Sequence, residues 1–168
     1  MDAWRQRESA TSDSVARRVY QARLPPHCIS VYSHSSAGSF TLDHLRRTKR
    51  DPAAMHAEAR QYAAMCSGAV LVEDTVQFGP LRLDAAQVFY ASPPNLTLAT
   101  VNLKPLLPGH VLVFPRRPVQ HLSELTDDET LDLWQSVQKI YVLVLAAHGA
   151  DSAQIGVQDG KHAGQSVS

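Results

Sequence analysis

Between residues 81 and 114 the apolar positions come in short runs separated by turn residues: LRL (81–83), QVFYA (87–91), NLTLATVN (95–102) and HVLVF (110–114). Each run is rich in the aliphatic, aromatic and β-branched side chains that suit a pleated, half-buried surface, and each predicts a strand. Pro93 and Pro94 break the chain between the second and third runs, Pro108–Gly109 makes a turn before the fourth, and Pro115 and Pro118 stop it from running on. The period then changes. Leu133, Val137, Ile140, Tyr141 and Val144 recur at helical spacing, which predicts a helix with one face laid on a sheet. Thr126 followed by Asp127, Asp128 and Glu129 is a capping box with acids at the positive end of the helix dipole, and Gly149 supplies the stop. Trp134 and Tyr141 are expected in the core. SAQIGVQD (152–159) predicts a return strand. Antiparallel strands with one long helix packed on them define an α+β fold.

Residues 1–75 lack this patterning. Stretches such as SVYSHSSAGS are Ser/His-rich and show no sustained period, so this half reads as a poorly ordered N-terminal extension to a domain spanning 76–168. Its one local signal is DPAAMHAEARQYAAMCSG, with Asp51 as N-cap, Pro52 at the first helical position and Gly68 as a stop. That predicts a helix over 52–66, whose stripe of Met55, Ala59, Tyr62, Ala63 and Cys66 is thin.

Charge and composition remove several classes of function. Sixteen basic and sixteen acidic residues cancel, so no global field recruits nucleic acid or an anionic membrane surface. The longest apolar stretch, IYVLVLAA (140–147), is far shorter than the roughly 18 residues of a membrane span. The N-terminus carries Asp2, Glu8 and Asp13 among its arginines and has no apolar segment of a secretory signal. Cys28 and Cys66 are too few for a disulfide framework, which places the chain in a reducing compartment, the cytoplasm first and the nucleus or mitochondrion as alternatives. No His/Cys spacing fits a metal site, the RRTKR run at 46–50 reads as solvated surface, and Asp127, Asp128 and Glu129 are explained by helix capping.

LATVNLKPLLPGHVLVFPRRPVQHLSELTDDE, the long helix and VQDGKHAGQSV, taken in order, resemble the histidine triad hydrolases, and within them the fragile histidine triad branch of diadenosine polyphosphate hydrolases. The resemblance covers residues 78–167. It implies a dimeric α+β domain that binds a dinucleoside polyphosphate such as diadenosine triphosphate and splits it into AMP and ADP. It assigns Asn102 to the nucleotide sugar, Gln158 to the phosphates, and Gly164, Gln165, Ser166 and Val167 to a loop that wraps the α-phosphate with backbone N–H groups. His110 matches an upstream histidine that supports the catalytic cluster. No resident cofactor is implied, and a divalent cation such as Mg2+ would come only with the nucleotide.

In the family this loop leads into His-x-His-x-His, whose alternation along a strand puts three imidazoles on one face, the middle one attacking phosphorus. No His-x-His occurs in these 168 residues. The resemblance therefore implies that the catalytic histidines are missing and the chain is inactive as it stands, and that the loss of a paired strand would expose backbone groups. One reading is a chain cut short just before the triad strand. The alternative is a non-catalytic nucleotide-binding or dimerisation module.

Overall fold

The computed structural model describes residues 29–34, 48–66, 75–78 and 81–160. In chain order the elements are β1 (Ile29–His34), α1 (Pro52–Met65), β2 (Thr75–Phe78), β3 (Leu81–Asp84), β4 (Val88–Ala91), β5 (Thr97–Val101), β6 (Val111–Pro115), α2 (Asp127–His148) and β7 (Ser152–Val157). Five strands form an antiparallel sheet in the order β4-β5-β6-β1-β7, and β2 and β3 make a separate hairpin. The α+β architecture expected from the sequence is present.

The start of α2 follows from its capping box. The Glu129 N–H donates to Thr126 Oγ1 at 3.2 Å and the Thr126 N–H to Glu129 Oε2 at 2.9 Å. Gly149 ends the helix in the left-handed conformation, φ 57°. Leu133, Val137, Ile140 and Val144 form the buried stripe, packed with Ile29, Val31, Val111 and Val113 of the sheet. Trp134 is not in the core as expected: it is 43% exposed, because it sits about 100° around the helix from Leu133. Tyr141, one residue past Ile140, is only half-buried.

The first part of the chain contributes more than its patterning predicts. Residues 29–34, expected in the poorly ordered extension, form β1, which lies inside the sheet between β6 and β7. Six residues are too short for periodicity to show, and their pairing is with residues about eighty and more than a hundred positions away. The predicted helix is found as α1. Pro52 opens it, but Asp51 makes no side-chain cap bond, and the helix ends at Met65, with Cys66 as its cap rather than Gly68. Its thin stripe suffices because Met55, Ala59 and Tyr62 insert into the same core as α2, Tyr62 meeting Phe89 edge-on at 5.0 Å.

On the opposite sheet face, the hairpin strand β2, which the sequence reading did not anticipate, buries Val76 and Phe78 with Leu98, Leu112 and Phe114. The Phe78 and Phe114 rings lie 4.7 Å apart. Along β4 the pairing with β5 shifts between Val88 and Tyr90, a bulge in an edge strand.

Candidate functional site

Asn102 follows β5 and His110 precedes β6, and the strand register brings them together: the Asn102 N–H donates to the His110 carbonyl at 3.2 Å. The connecting loop folds back on both side chains. Asn102 Oδ1 accepts the Lys104 N–H at 2.9 Å, and His110 Nδ1 accepts the Leu106 N–H at 3.0 Å. An imidazole that accepts at Nδ1 is neutral and carries its proton on Nε2, so the loop sets the His110 tautomer. Both residues are 1% exposed. The Asn102 oxygen is committed to the loop, while its Nδ2 is buried without a hydrogen-bond partner. A spare buried amide donor costs stability unless something polar reaches it.

The turn Leu107–His110 needs its glycine. Gly109 has φ +73°, and a Cβ there would lie 2.7 Å from His148 Cδ2 and 2.9 Å from His148 Nε2. The His148 ring is itself held: its Nε2 is 2.7 Å from the Tyr62 hydroxyl, which donates to Glu58 Oε1 at 2.7 Å. Burial first, and then the hydrogen bond to Glu58, push the Tyr62 phenol far above its ordinary range, so it stays protonated. Glu58 pairs with Arg50, whose backbone N–H donates to the Leu103 carbonyl at 3.0 Å. The chain Arg50–Glu58–Tyr62–His148 thus braces the 102–110 loop from α1.

Gln158, buried at 7% exposure, is not beside this pair. Val157 is level with Ile29 and Val113, and Ile155 with Val31 and Val111, so Gln158 falls level with Phe114, four residues along β6 from His110. At roughly 3.3 Å per residue that is about 13 Å along the strands, and two strand spacings, about 9.6 Å, across them. Val101, Val111 and Val157 point toward the α2 side, so continued alternation puts Asn102, His110 and Gln158 on the other face. Between them lie Ser30, opposite Leu112, and Gly156, where an added Cβ would meet nothing within 4 Å. The result is a strip of sheet face with polar groups at both ends, Ser30 and Gly156 between them, and Leu112 and Phe114 of β6 beside them under the β2 hairpin. Gly164, Gln165, Ser166 and Val167, the expected phosphate loop, lie outside the described residues.

Two contacts, one of them beside Gln158, escaped the sequence reading. His121 Nδ1 lies 3.2 Å from Asp159 Oδ1, tying the segment after β6 to the end of β7. Arg117 grips Glu129 with two bonds, Nε to Oε1 at 2.8 Å and an Nη to Oε2 at 2.6 Å, and reaches the Glu124 carbonyl at 2.8 Å. That fork, with the Thr126 N–H, holds the Glu129 carboxyl down to about 2. The partners are 38 and 12 residues apart, and no local spacing marks them. Among the described residues no three His, Cys, Asp or Glu side chains gather in a metal-holding arrangement. What this face offers a ligand is the unused Asn102 amide donor.

A family model supplies the context for this geometry: the HIT domain matches residues 84–168, half of the chain. The chain belongs to the HIT domain family. The chain is 51% identical over 90 residues to the bifunctional bis(5'-adenosyl)-triphosphatase/adenylylsulfatase FHIT of Arabidopsis thaliana, covering 54% of this chain and 49% of that protein. It is 44% identical over 93 residues to the bis(5'-adenosyl)-triphosphatase of Dictyostelium discoideum, covering 55% and 61%. The chain thus spans about half the length of the curated relatives it matches. Among solved structures the chain is similar to the Plasmodium falciparum diadenosine triphosphate hydrolase bound to cyclomarin A, with a TM-score of 0.55, 25% identity, and coverage of 67% of this chain and 74% of that one. The Caenorhabditis elegans NitFhit protein also gives a TM-score of 0.55, at 36% identity, with 62% of this chain and 26% of that one covered.

Proposed function

We propose that these 168 residues bind a dinucleoside polyphosphate such as diadenosine triphosphate along the strip from Asn102 and His110 to Gln158, without cleaving it. The observation that carries the reading is Asn102. Its oxygen is locked to the Lys104 N–H while its amide donor stays buried and unused, as a sugar hydroxyl of a bound nucleotide would require. The chain's relatives include proteins named for hydrolysing adenosyl triphosphates. An elongated strip with polar groups at both ends suits a ligand with a polyphosphate between two nucleosides. Gln158 would meet the phosphates, joined by the backbone of Gly164, Gln165, Ser166 and Val167, and any Mg2+ would enter bound to the ligand. His110, neutral and bonded through Nδ1, is a donor from Nε2, not a nucleophile, and no His-x-His pair is present in these residues to attack phosphorus.

Calorimetric titration with a non-hydrolysable diadenosine triphosphate analogue tests this directly. Asn102→Asp keeps the acceptor for Lys104 and removes the donor, and about a tenfold loss of affinity is expected, the equivalent of one hydrogen bond of about 1.4 kcal/mol. Absence of binding by the parent chain, or unchanged binding by the variant, refutes the reading. Hydrolysis above a mock-purified control refutes the second half of it.

A homodimer is part of the same proposal. Leu131, Trp134 and Val142 form an exposed stripe along α2 at 59%, 43% and 63% exposure. Next to it a groove of about 410 Å³ runs between α1, β4 and α2, lined by Met65, Cys66, Tyr90, Lys139 and Leu143. A second copy covering stripe and groove would bury the apolar surface, and sedimentation of the parent chain against Trp134→Glu is the check.

A further inference from the structure

β7 leads directly to Gln158, yet among the described residues its one strand neighbour is β1, paired at six positions from Ile29–Val157 to His34–Ser152. β1 is joined in turn to β6 at Ile29–Val113, Ser30–Leu112 and Val31–Val111. Ile155 and Val157 point to the α2 side but remain 42% and 40% exposed, whereas Ile29 and Val31 beside them are fully buried. Across β1, the backbones of β6 and β7 are two strand spacings apart, about 9.6 Å, far beyond hydrogen-bond reach.

We infer that the space between β6 and β7 is a strand-accepting site, that the chain fills it in cis with residues 29–34, and that its occupant sets where Gln158 lies relative to Asn102 and His110. The ligand class is an extended peptide. Backbone groups on both edges of the slot supply affinity, and alternate side chains supply selection. Positions 29 and 31 take aliphatic side chains packed in the same core as Leu133, Val137 and Ile140. Position 30 takes a small residue: Ser30 is buried between Leu112 and Gly156 on the opposite face, where bulk would stand up in the strip. Residues 29–34 lie outside the family match at 84–168. The last part of the inference, on Gln158, rests on the proposed nucleotide site, and the strand-accepting slot does not.

Ser30→Pro in the full chain tests the slot. It leaves Ile29 and Val31 in place but removes a backbone N–H from a strand paired on both edges. Amide exchange of residues 152–157 is expected to accelerate by about tenfold or more while α2 stays protected. A synthetic peptide of residues 27–36 should restore both slow exchange and affinity for the diadenosine triphosphate analogue, and a scrambled peptide should not. Should Ser30→Pro fail to fold, the pair Ser30→Cys with Gly156→Cys, in a chain with Cys28→Ser and Cys66→Ser, reads the same register. These are directly opposed positions with open space at Gly156, so oxidation should close a disulfide. Unchanged β7 exchange, a loosened β7 that the peptide does not restore, or no cross-link would each overturn the inference. A cross-link that forms in a chain unable to bind the analogue would instead sink the proposed function and leave the slot standing.

Discussion

The two ends of the strip are built in different ways. At the Asn102–His110 end the contacts are short in sequence: Lys104, Leu106 and Leu107 all bond to one of the two residues within a span of nine. Behind them stands a second tier, the Arg50–Glu58–Tyr62–His148 chain, which sets α1 against the loop. The Gln158 end, among the described residues, is held differently. It depends on a strand from the far side of the chain, and on surface pairs such as His121–Asp159, whose side chains are 57% and 40% exposed. Short-range contacts form at little entropic cost, and long-range ones require loop closure before they repay it. The loop end is therefore rigid by construction, and the strand end is rigid only while β1 is seated.

Substitutions at each end sharpen this contrast. The largest effect is expected from Gly109→Ala, which meets the His148 ring and forces a side chain into a left-handed conformation. A loss of about 2–3 kcal/mol in urea unfolding should result, with faster exchange confined to 102–110 and α1. Tyr62→Phe removes the hydroxyl shared by Glu58 and His148 and should cost about 1 kcal/mol, again leaving β7 exchange unchanged. If it loosens β7 as much as the loop, the two ends are not independent.

The Arg117 fork gives the start of α2 a pH signature. Glu129 has its carboxyl lowered from an ordinary 4.5 to about 2 in the folded chain, chiefly by Arg117. A carboxylate depressed in this way contributes stability that is fully present above the unfolded value. That stability is lost as pH falls through the window from about 4.5 to about 2. Glu129→Gln should therefore flatten the acid limb of a thermal-melt profile in that window, and a profile parallel to the parent's would show that the fork does not matter. His121→Ala should have the smallest effect, a few tenths of a kcal/mol, because both partners are exposed and solvent screens them. Its value is diagnostic: any change in exchange should appear at 158–160 and not at 102–110.

What the sequence disclosed tracks this same division. α2 was legible because Thr126 and Glu129 cap it within four residues and because its buried stripe repeats locally. β5 and β6 were legible as apolar runs cut by prolines. The Asn102–His110 turn could be placed because Pro108–Gly109 announces it. β1 could not, since ISVYSH is short, sits in a Ser/His-rich stretch and becomes a strand only by pairing across the molecule. Trp134 was misplaced for a geometric reason: neighbouring residues on a helix point about 100° apart, and the core took Leu133. The His121–Asp159 pair and the Arg117 fork involve residues that only folding brings together, and their spacing in the chain carries no signal.

The register shift in β4 has a consequence for assembly. A flat outer strand offers its free amide and carbonyl groups to any similar strand, and repeated addition leads to open-ended stacks. The irregularity between Val88 and Tyr90 breaks that template at the rim where a second sheet would attach. At this rim a neighbouring molecule would have to be met by side chains rather than by a run of backbone bonds to β4.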